Sequence, residues 1–282
     1  TYFIADIAAN HNGDLERAKD LIYMAKEAGA DAVKFQHFKA ETIVSDFGFK
    51  SFGSKLSHQN SWEKSVYEVY NKASLPVQWT KELKDTCDDA GIDYFTTPYS
   101  IDVVKELKDF VAAWKMGSGD ITWHDHIIKM AKTNKPILIA TGASNIHEVE
   151  KIYKKTIKIN QKLVLMQCNT NYTNSLKNFE YLNLNVLKQF KKIFKERLIL
   201  GLSDHTPGHA SVLGAISLGA KVIEKHFTDN NFRNGPDHAF SLNPKTWREM
   251  VSASRYLEKS LGDGRKKLES NEKQSVIVQR RG

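Results

Sequence analysis

The sequence predicts an α/β protein with the (β/α)8 barrel architecture, and three observations carry that prediction. Short apolar runs alternate with helical stretches along the chain, eight such runs can be counted, and helix-to-run junctions repeat the same Ala-Gly or Leu-Gly punctuation. A doubly wound open sheet shares the local pattern. No Gly-x-Gly-x-x-Gly follows the first run, which favours the barrel.

The first buried strand is read in Phe3-Ile4-Ala5-Asp6-Ile7-Ala8-Ala9, closed by the loop Asn10-His11-Asn12-Gly13. Leu15, Ala18, Leu21, Ile22 and Ala25 then recur at helical spacing, and Gly29 is the expected C-cap before a second strand, Ala32-Val33-Lys34-Phe35. Further strands are expected at 94–97, 112–116, 137–140, 163–166, 198–202 and 222–224. Between His37 and about Leu75 the connection is longer than an ordinary βα loop. Phe47, Phe49, Phe52, Trp62 and Tyr67 lie within it and point to a lid or packed excursion.

Composition bounds the function. With 282 residues, 41% of them hydrophobic and 26% charged, the chain can bury a sizeable core. No apolar run reaches the ~20 residues of a membrane span, no basic leader opens the chain, and only Cys87 and Cys168 occur. A cytoplasmic protein with no membrane partner is therefore expected, and a disulfide framework is excluded. Net charge is +8, from 41 Lys and Arg against 33 Asp and Glu. The lysines alternate with acids, as in Lys81-Glu82-Leu83-Lys84-Asp85, and no arginine-rich arm appears, so an anionic small molecule is the expected partner rather than nucleic acid.

In such a barrel the chemistry sits at the C-terminal ends of the strands. Those ends carry Asn12, Lys34 with Gln36, Thr96-Thr97, Lys115 with Ser118 and Asp120, Gln167 with Tyr172, Ser203-Asp204-His205 and Glu224-Lys225-His226. Lys34 and Lys115 interrupt apolar strands, and with the hydroxyls they form a place for a phosphate and a carboxylate. His205 and His226 end neighbouring strands, whose tips lie about 5 Å apart, so they can share one divalent cation such as Mn²⁺, Zn²⁺ or Fe²⁺, or else be two hydrogen-bonded barrel histidines. Gly117-Ser118-Gly119-Asp120 brings backbone N–H groups to an anion. His11 and His238 are read as hydrogen-bonding side chains and Cys168 as a buried thiol.

The segments Ile4-Ala5-Asp6, Asn10-His11-Asn12-Gly13, Ala30-Asp31-Ala32-Val33-Lys34-Phe35-Gln36, Lys115-Met116-Gly117-Ser118-Gly119-Asp120, Ser203-Asp204-His205-Thr206, Glu224-Lys225-His226-Phe227-Thr228 and Gly235-Pro236-Asp237-His238 closely resemble the sialic acid synthase family, in order and over almost the whole chain. The resemblance implies condensation of phosphoenolpyruvate with an N-acetylated hexosamine to a nine-carbon 2-keto sugar acid, with release of phosphate. It implies that His205 and His226 hold the metal, usually Mn²⁺, that Lys34, Thr96, Lys115, Ser118 and Ser203 hold phosphoenolpyruvate, and that Asn12, Gln36, Tyr172 and Asp237 line the sugar site. Asp120 matches a proton-moving carboxylate that is more often Glu, while Ala140 and Thr170 replace a usual Ser and Asn or Ser. These departures bear on acceptor identity.

Two other classes fit the same barrel: a Schiff-base keto-acid aldolase using Lys115 or Lys225, and a sugar-binding barrel without catalysis. Residues 1–261 are expected to form the barrel, with a last helix at 244–261. Residues 262–282 are expected to be a polar linker. In the resembled family a similar stretch, with Glu272 and Arg280-Arg281 matching, leads into an antifreeze-like domain of a head-to-tail homodimer, so this sequence is expected to be part of a longer dimeric protein.

Overall fold

The computed structural model describes residues 1–45, 47, 64–194 and 198–281. Its parallel strands close on themselves in sequence order, as a barrel and not as an open sheet: β1 (Tyr2–Asp6), β2 (Ala32–His37), β3 (Asp93–Pro98), β4 (Ala113–Met116), β5 (Ile137–Ala140), β6 (Leu163–Cys168), β7 (Ile199–Asp204) and β8 (Val222–His226). Closure is made by β1 against β8, where Asp6 faces His226 in register.

The helices that sheathe the barrel have conventional ends. Helix α1 (Leu15–Glu27) is capped by Asp14, whose side chain accepts from the Arg17 backbone N–H, and it buries Ala18, Leu21, Ile22 and Ala25 as its spacing predicts. Two short helices, α2 (Ala40–Ile43) and α3 (Val66–Ala73), flank the long β2 connection before α4 (Thr80–Ala90). Ser65 and Glu68 form a capping box on α3. Helix α4 ends on Gly91 at φ 65°, ψ 45°, the left-handed conformation glycine adopts without a Cβ clash. Of the aromatic residues expected in a lid, Tyr67 lies half-buried on α3 and Phe47 is exposed; Phe49, Phe52 and Trp62 lie outside the described residues.

The circuit continues with α5 (Ile101–Leu107), α6 (His124–Ala131), α7 (Ile146–Thr156), α8 (Asn178–Leu182), α9 (Val186–Phe194) and α10 (Ala210–Ser217). Helix α11 occupies Pro244–Leu261, the expected bounds, with an Asn243 cap and proline in its first turn. Beyond it the chain is largely exposed, as a polar linker predicts, and it forms α12 (Lys273–Gln279). The first apolar run also overshoots its strand. β1 stops at Asp6 because Ala8 turns to φ 46° and Asn10 ties back to the Phe227 carbonyl.

Strand parity sorts the barrel into two cores. Ile4, Ala32, Phe95, Ala113, Leu138, Val164, Met166 and Val222 point inward and plug the barrel's lower half. Their neighbours Phe3, Val33, Tyr94, Trp114 and Ile223 point outward and pack under the helices. Trp247 of α11 is fully buried there, edge-on to Phe227 at 5.6 Å between ring centroids. Trp247→Ala should therefore lower unfolding free energy by about 3–5 kcal/mol, read from the urea midpoint at unchanged m-value.

Candidate active site

Above the apolar plug the inward positions turn polar, and they do so by the same alternation. Asp6 follows Ile4 at the inward parity, Lys34 and Gln36 follow Ala32, Lys115 follows Ala113, Ser203 and His205 follow Gly201, and Glu224 and His226 follow Val222. These side chains floor a cavity of about 980 Å³, whose rim includes Tyr70, Tyr99, Asp120, Asn171 and Tyr172.

The floor is an ionic network. Lys34 Nζ lies 2.8 Å from Asp6 Oδ2 and 3.7 Å from Glu224 Oε1, and Lys115 Nζ lies 3.1 Å from the same Glu224 oxygen. Ser203 Oγ also donates to Glu224 Oε1, at 3.0 Å. All these groups are buried. Burial works against ionisation of Glu224, but Lys115 and Lys34 outweigh it and hold the carboxyl down at about 2. Burial likewise opposes the Lys34 charge, and Asp6 and Glu224 outweigh it, raising the amine above its ordinary value. The two lysines therefore do not form a bare cationic cleft, as the sequence alone suggests. Each is paired with a carboxylate, Lys34 with Asp6 and Lys115 with Glu224. The sequence assigns no role to Asp6 or Glu224, although their inward parity follows from Ile4 and Val222.

The two histidines stand on the rim of that floor, with ring centroids 5.5 Å apart. His205 Nδ1 donates to the Asn169 carbonyl at 2.8 Å, which fixes the neutral ring with a bare Nε2. Burial and the neighbouring His226 lower His205 to about 3. Burial and Lys34 lower His226 to about 3 as well, and its Nδ1 is buried without a hydrogen-bond partner among the described residues. Two neutral imidazoles side by side, one with an orphaned nitrogen, are chemically suited to a divalent cation. Among the described residues no group of three or more His, Cys, Asp or Glu side chains is placed to hold one. Tyr172 packs on His205 at 4.3 Å and Phe240 on His226 at 4.9 Å, which fixes both rings.

The remaining predicted residues divide. Ser118 lines the cavity, and its Oγ accepts from the Gly142 N–H at 3.0 Å; a Cβ on Gly142 would crowd that oxygen at 2.9 Å. Gln36 lines it too and donates to Asp6 at 3.4 Å. Asp120 reaches it from the turn after β4, its carboxyl raised by burial. Asp237 accepts from the Ala9 N–H at 3.2 Å, and burial, aided by Asp6 and opposed by Ala9 and Lys34, raises it to about 7.

Three assignments are corrected by parity and by the β1 loop. Thr96 points away from the cavity, its Oγ1 hydrogen-bonded to the Phe35 carbonyl and to His37, and Thr97 takes the inward place 3.4 Å from Lys34 Nζ. Asn12 does not line the cavity; it holds His238 Nε2 from behind at 3.0 Å. Lys225, a candidate Schiff-base amine, points outward and is paired with Asp204 at 2.6 Å. Gln167 is outward as well, bonded to the Leu182 carbonyl. Cys168 is buried against the cavity with its thiol raised by burial, and His11 and His238 serve in hydrogen bonds as read from sequence.

Comparison with known proteins places this barrel. Residues 21–266 match the NeuB family. The chain belongs to that family. Against the N,N'-diacetyllegionaminic acid synthase of Campylobacter jejuni subsp. jejuni it is 35% identical over 285 residues, spanning 100% of this chain and 78% of the relative. Pseudaminic acid synthase of the same organism is 34% identical over 276 residues, 96% of this chain and 77% of that one. The crystal structure of N-acetylneuraminic acid (sialic acid) synthetase from Leptospira borgpetersenii serovar Hardjo-bovis superposes with a TM-score of 0.80 at 26% identity, over 98% of this chain and 90% of that chain. The resemblance read from the motifs is borne out, and the NeuB-family barrel carries its polar layer on inward positions of the strands.

Asp237 gives this site a stability signature. Its carboxyl is raised above the unfolded value, so between about pH 4 and pH 7 the native state binds the extra proton and stability falls as pH rises. Asp237→Asn keeps an acceptor for Ala9 and removes the titration. The variant should gain melting temperature over the parent progressively from pH 4 to pH 7 and match it below pH 4.

Proposed function

We propose that this chain is a sialic acid synthase-type condensing enzyme that joins phosphoenolpyruvate to an N-acetylated hexosamine and releases phosphate. The observation that supports it most is the pairing, on one cavity floor, of two carboxylate-held lysines with two neutral histidines. The named synthases among its relatives agree with that chemistry.

Phosphoenolpyruvate carries a carboxylate and a phosphate, and Lys34, Lys115, Ser118, Ser203 and the inward Thr97 line the floor that would receive them. Hydrogen bonds from amines already oriented by their carboxylate partners cost little reorganisation on binding. The enol carbon then attacks the aldehyde carbon of the open-chain sugar, forming the new C–C bond and leaving an oxocarbenium carbon that still bears the phosphate. Water adds to that carbon, and the C–O bond to phosphate breaks to give the 2-keto acid. Asp120, raised by burial and placed on the rim, is suited to hold and return a proton during these steps. Gln36, Tyr172 and Asp237 line the same cavity and would meet the sugar.

A divalent metal, Mn²⁺ by family resemblance, would be held by His205 and His226 and would supply Lewis-acid polarisation of the sugar aldehyde. A homodimer is part of the same proposal. The aldolase reading is the weaker one, because a Schiff base needs an amine free to lose its proton. Lys34 is held charged by Asp6 and Glu224, Lys115 is paired with Glu224, and Lys225 faces away.

Phosphate release from phosphoenolpyruvate, assayed against a panel of N-acetylated hexoses, should be dependent on one of the acceptors; release with none of them would overturn the assignment. Lys115→Met should raise the KM for phosphoenolpyruvate at least about tenfold, equal to ~1.4 kcal/mol of lost binding. Activity should vanish with a chelator and return with Mn²⁺, and isothermal titration should show His226→Ala weakening Mn²⁺ binding by about an order of magnitude or more.

A further inference from the structure

The polar wall of the cavity is carried by the segment after β6, and that segment has little backbone support. Asn169, Thr170, Asn171 and Tyr172 line the cavity. Thr170, Asn171, Thr173 and Asn174 make no backbone–backbone hydrogen bond among the described residues. Side-chain support comes from Asn178, the first residue of α8, which lies outside the cavity lining and is only 2% exposed.

Asn178 uses its whole hydrogen-bonding capacity on two residues. Its Nδ2 donates to the Asn171 carbonyl at 3.2 Å and to the Thr173 carbonyl at 2.6 Å. Its Oδ1 accepts from Asn171 Nδ2 at 2.8 Å and from Thr173 Oγ1 at 3.3 Å. Carbonyls only accept, so the two donations fix which way the amide is turned. The residue between the two anchored ones is Tyr172. Its ring packs on His205 at 4.3 Å between centroids and stands 5.7 Å from Phe240. His205 is tied to the same segment through its bond to the Asn169 carbonyl.

We propose that Asn178 is a positioning residue for the sugar acceptor: it clamps the chain on both sides of Tyr172 and so holds that ring against His205 as a fixed wall of the cavity. Asn178 acts through Tyr172 and never touches the substrate. A buried amide satisfied at every polar atom resists rearrangement, because moving either anchored residue would strand a donor or an acceptor away from water. The wall is set before an acceptor enters, and a preorganised wall costs less on binding than one ordered by the ligand. Lys34 and Lys115 stand on β2 and β4 and do not depend on this segment, so the clamp bears on the sugar and not on phosphoenolpyruvate.

The proposal rests on the synthase reading of the site, and the test separates the two. In Asn178→Ala all four bonds are lost. The expected result is a KM for the acceptor raised at least about tenfold with the phosphoenolpyruvate KM within about twofold of the parent. A merely structural role would lower the melting temperature and move both KM values alike or neither; either pattern in a folded variant overturns the proposal. Should the parent release no phosphate with any acceptor, the synthase reading fails and histidine ring ¹H spectra of the full chain, recorded without added metal, decide the clamp alone. Tyr172→Leu removes a ring current from His205, and Asn178→Ala should move the His205 resonance in the same direction. A His205 resonance unchanged in folded Asn178→Ala overturns the proposal whatever the reaction. Should Asn178→Ala not fold, the parent decides: the two Asn178 amide protons, both donated in burial, should exchange with solvent at least about a hundredfold more slowly than those of exposed asparagines, and exchange at the exposed rate overturns the clamp.

Discussion

The site depends on a buried ionic layer laid across the barrel just above its apolar plug. Asp6 on β1, Lys34 on β2, Lys115 on β4 and Glu224 on β8 meet within the barrel, with Glu224 Oε1 taken by both amines and by Ser203. Four charges taken out of water are costly unless mutually paired, and removing one member would leave another uncompensated. Such a layer adds little to net stability, but it holds the amines in place. The barrel's closure contributes directly, since β1 and β8 put Asp6 and His226 in register.

Around that layer, rigidity is supplied from the helix side. Asp204 and Lys225 face outward from β7 and β8 and pair with each other, while Thr206 and Ser211 hydrogen-bond the same carboxylate. Each is the chain neighbour of a cavity histidine, so the outward pair fixes the two strand ends that carry His205 and His226. Tyr172 and Phe240 pack against the same rings. His205 is thus held by packing and by its hydrogen bond to the Asn169 carbonyl, and His226 by packing.

Two walls of the cavity differ in character. Phe38, Tyr70 and Ala73, contributed by the ends of the long β2 connection, make an apolar side with Tyr99. Asn169, Thr170 and Asn171 after β6 make a polar one. A polyhydroxylated acceptor carrying acyl groups offers both kinds of surface, which is consistent with the sugar acid synthases among its relatives.

What the sequence by itself determined is local. Apolar runs, helical periodicity and Gly caps depend on neighbours in the chain, so the strands, the α11 bounds at Pro244–Leu261 and the polar strand ends were legible. Gly91 in the left-handed conformation is a case in which one residue's backbone freedom placed a boundary. What only the tertiary structure decided is which way each side chain faces and what stands opposite it. Thr96 and Thr97 are indistinguishable as neighbours in a run, yet one bonds His37 behind the sheet and the other faces Lys34. Lys225 looks like Lys115 in sequence and is turned to the opposite side. The neutralisation of the lysines by Asp6 and Glu224 was hidden for the same reason: β1 and β8 are adjacent only because the barrel closes, and closure joins residues from the two ends of the chain.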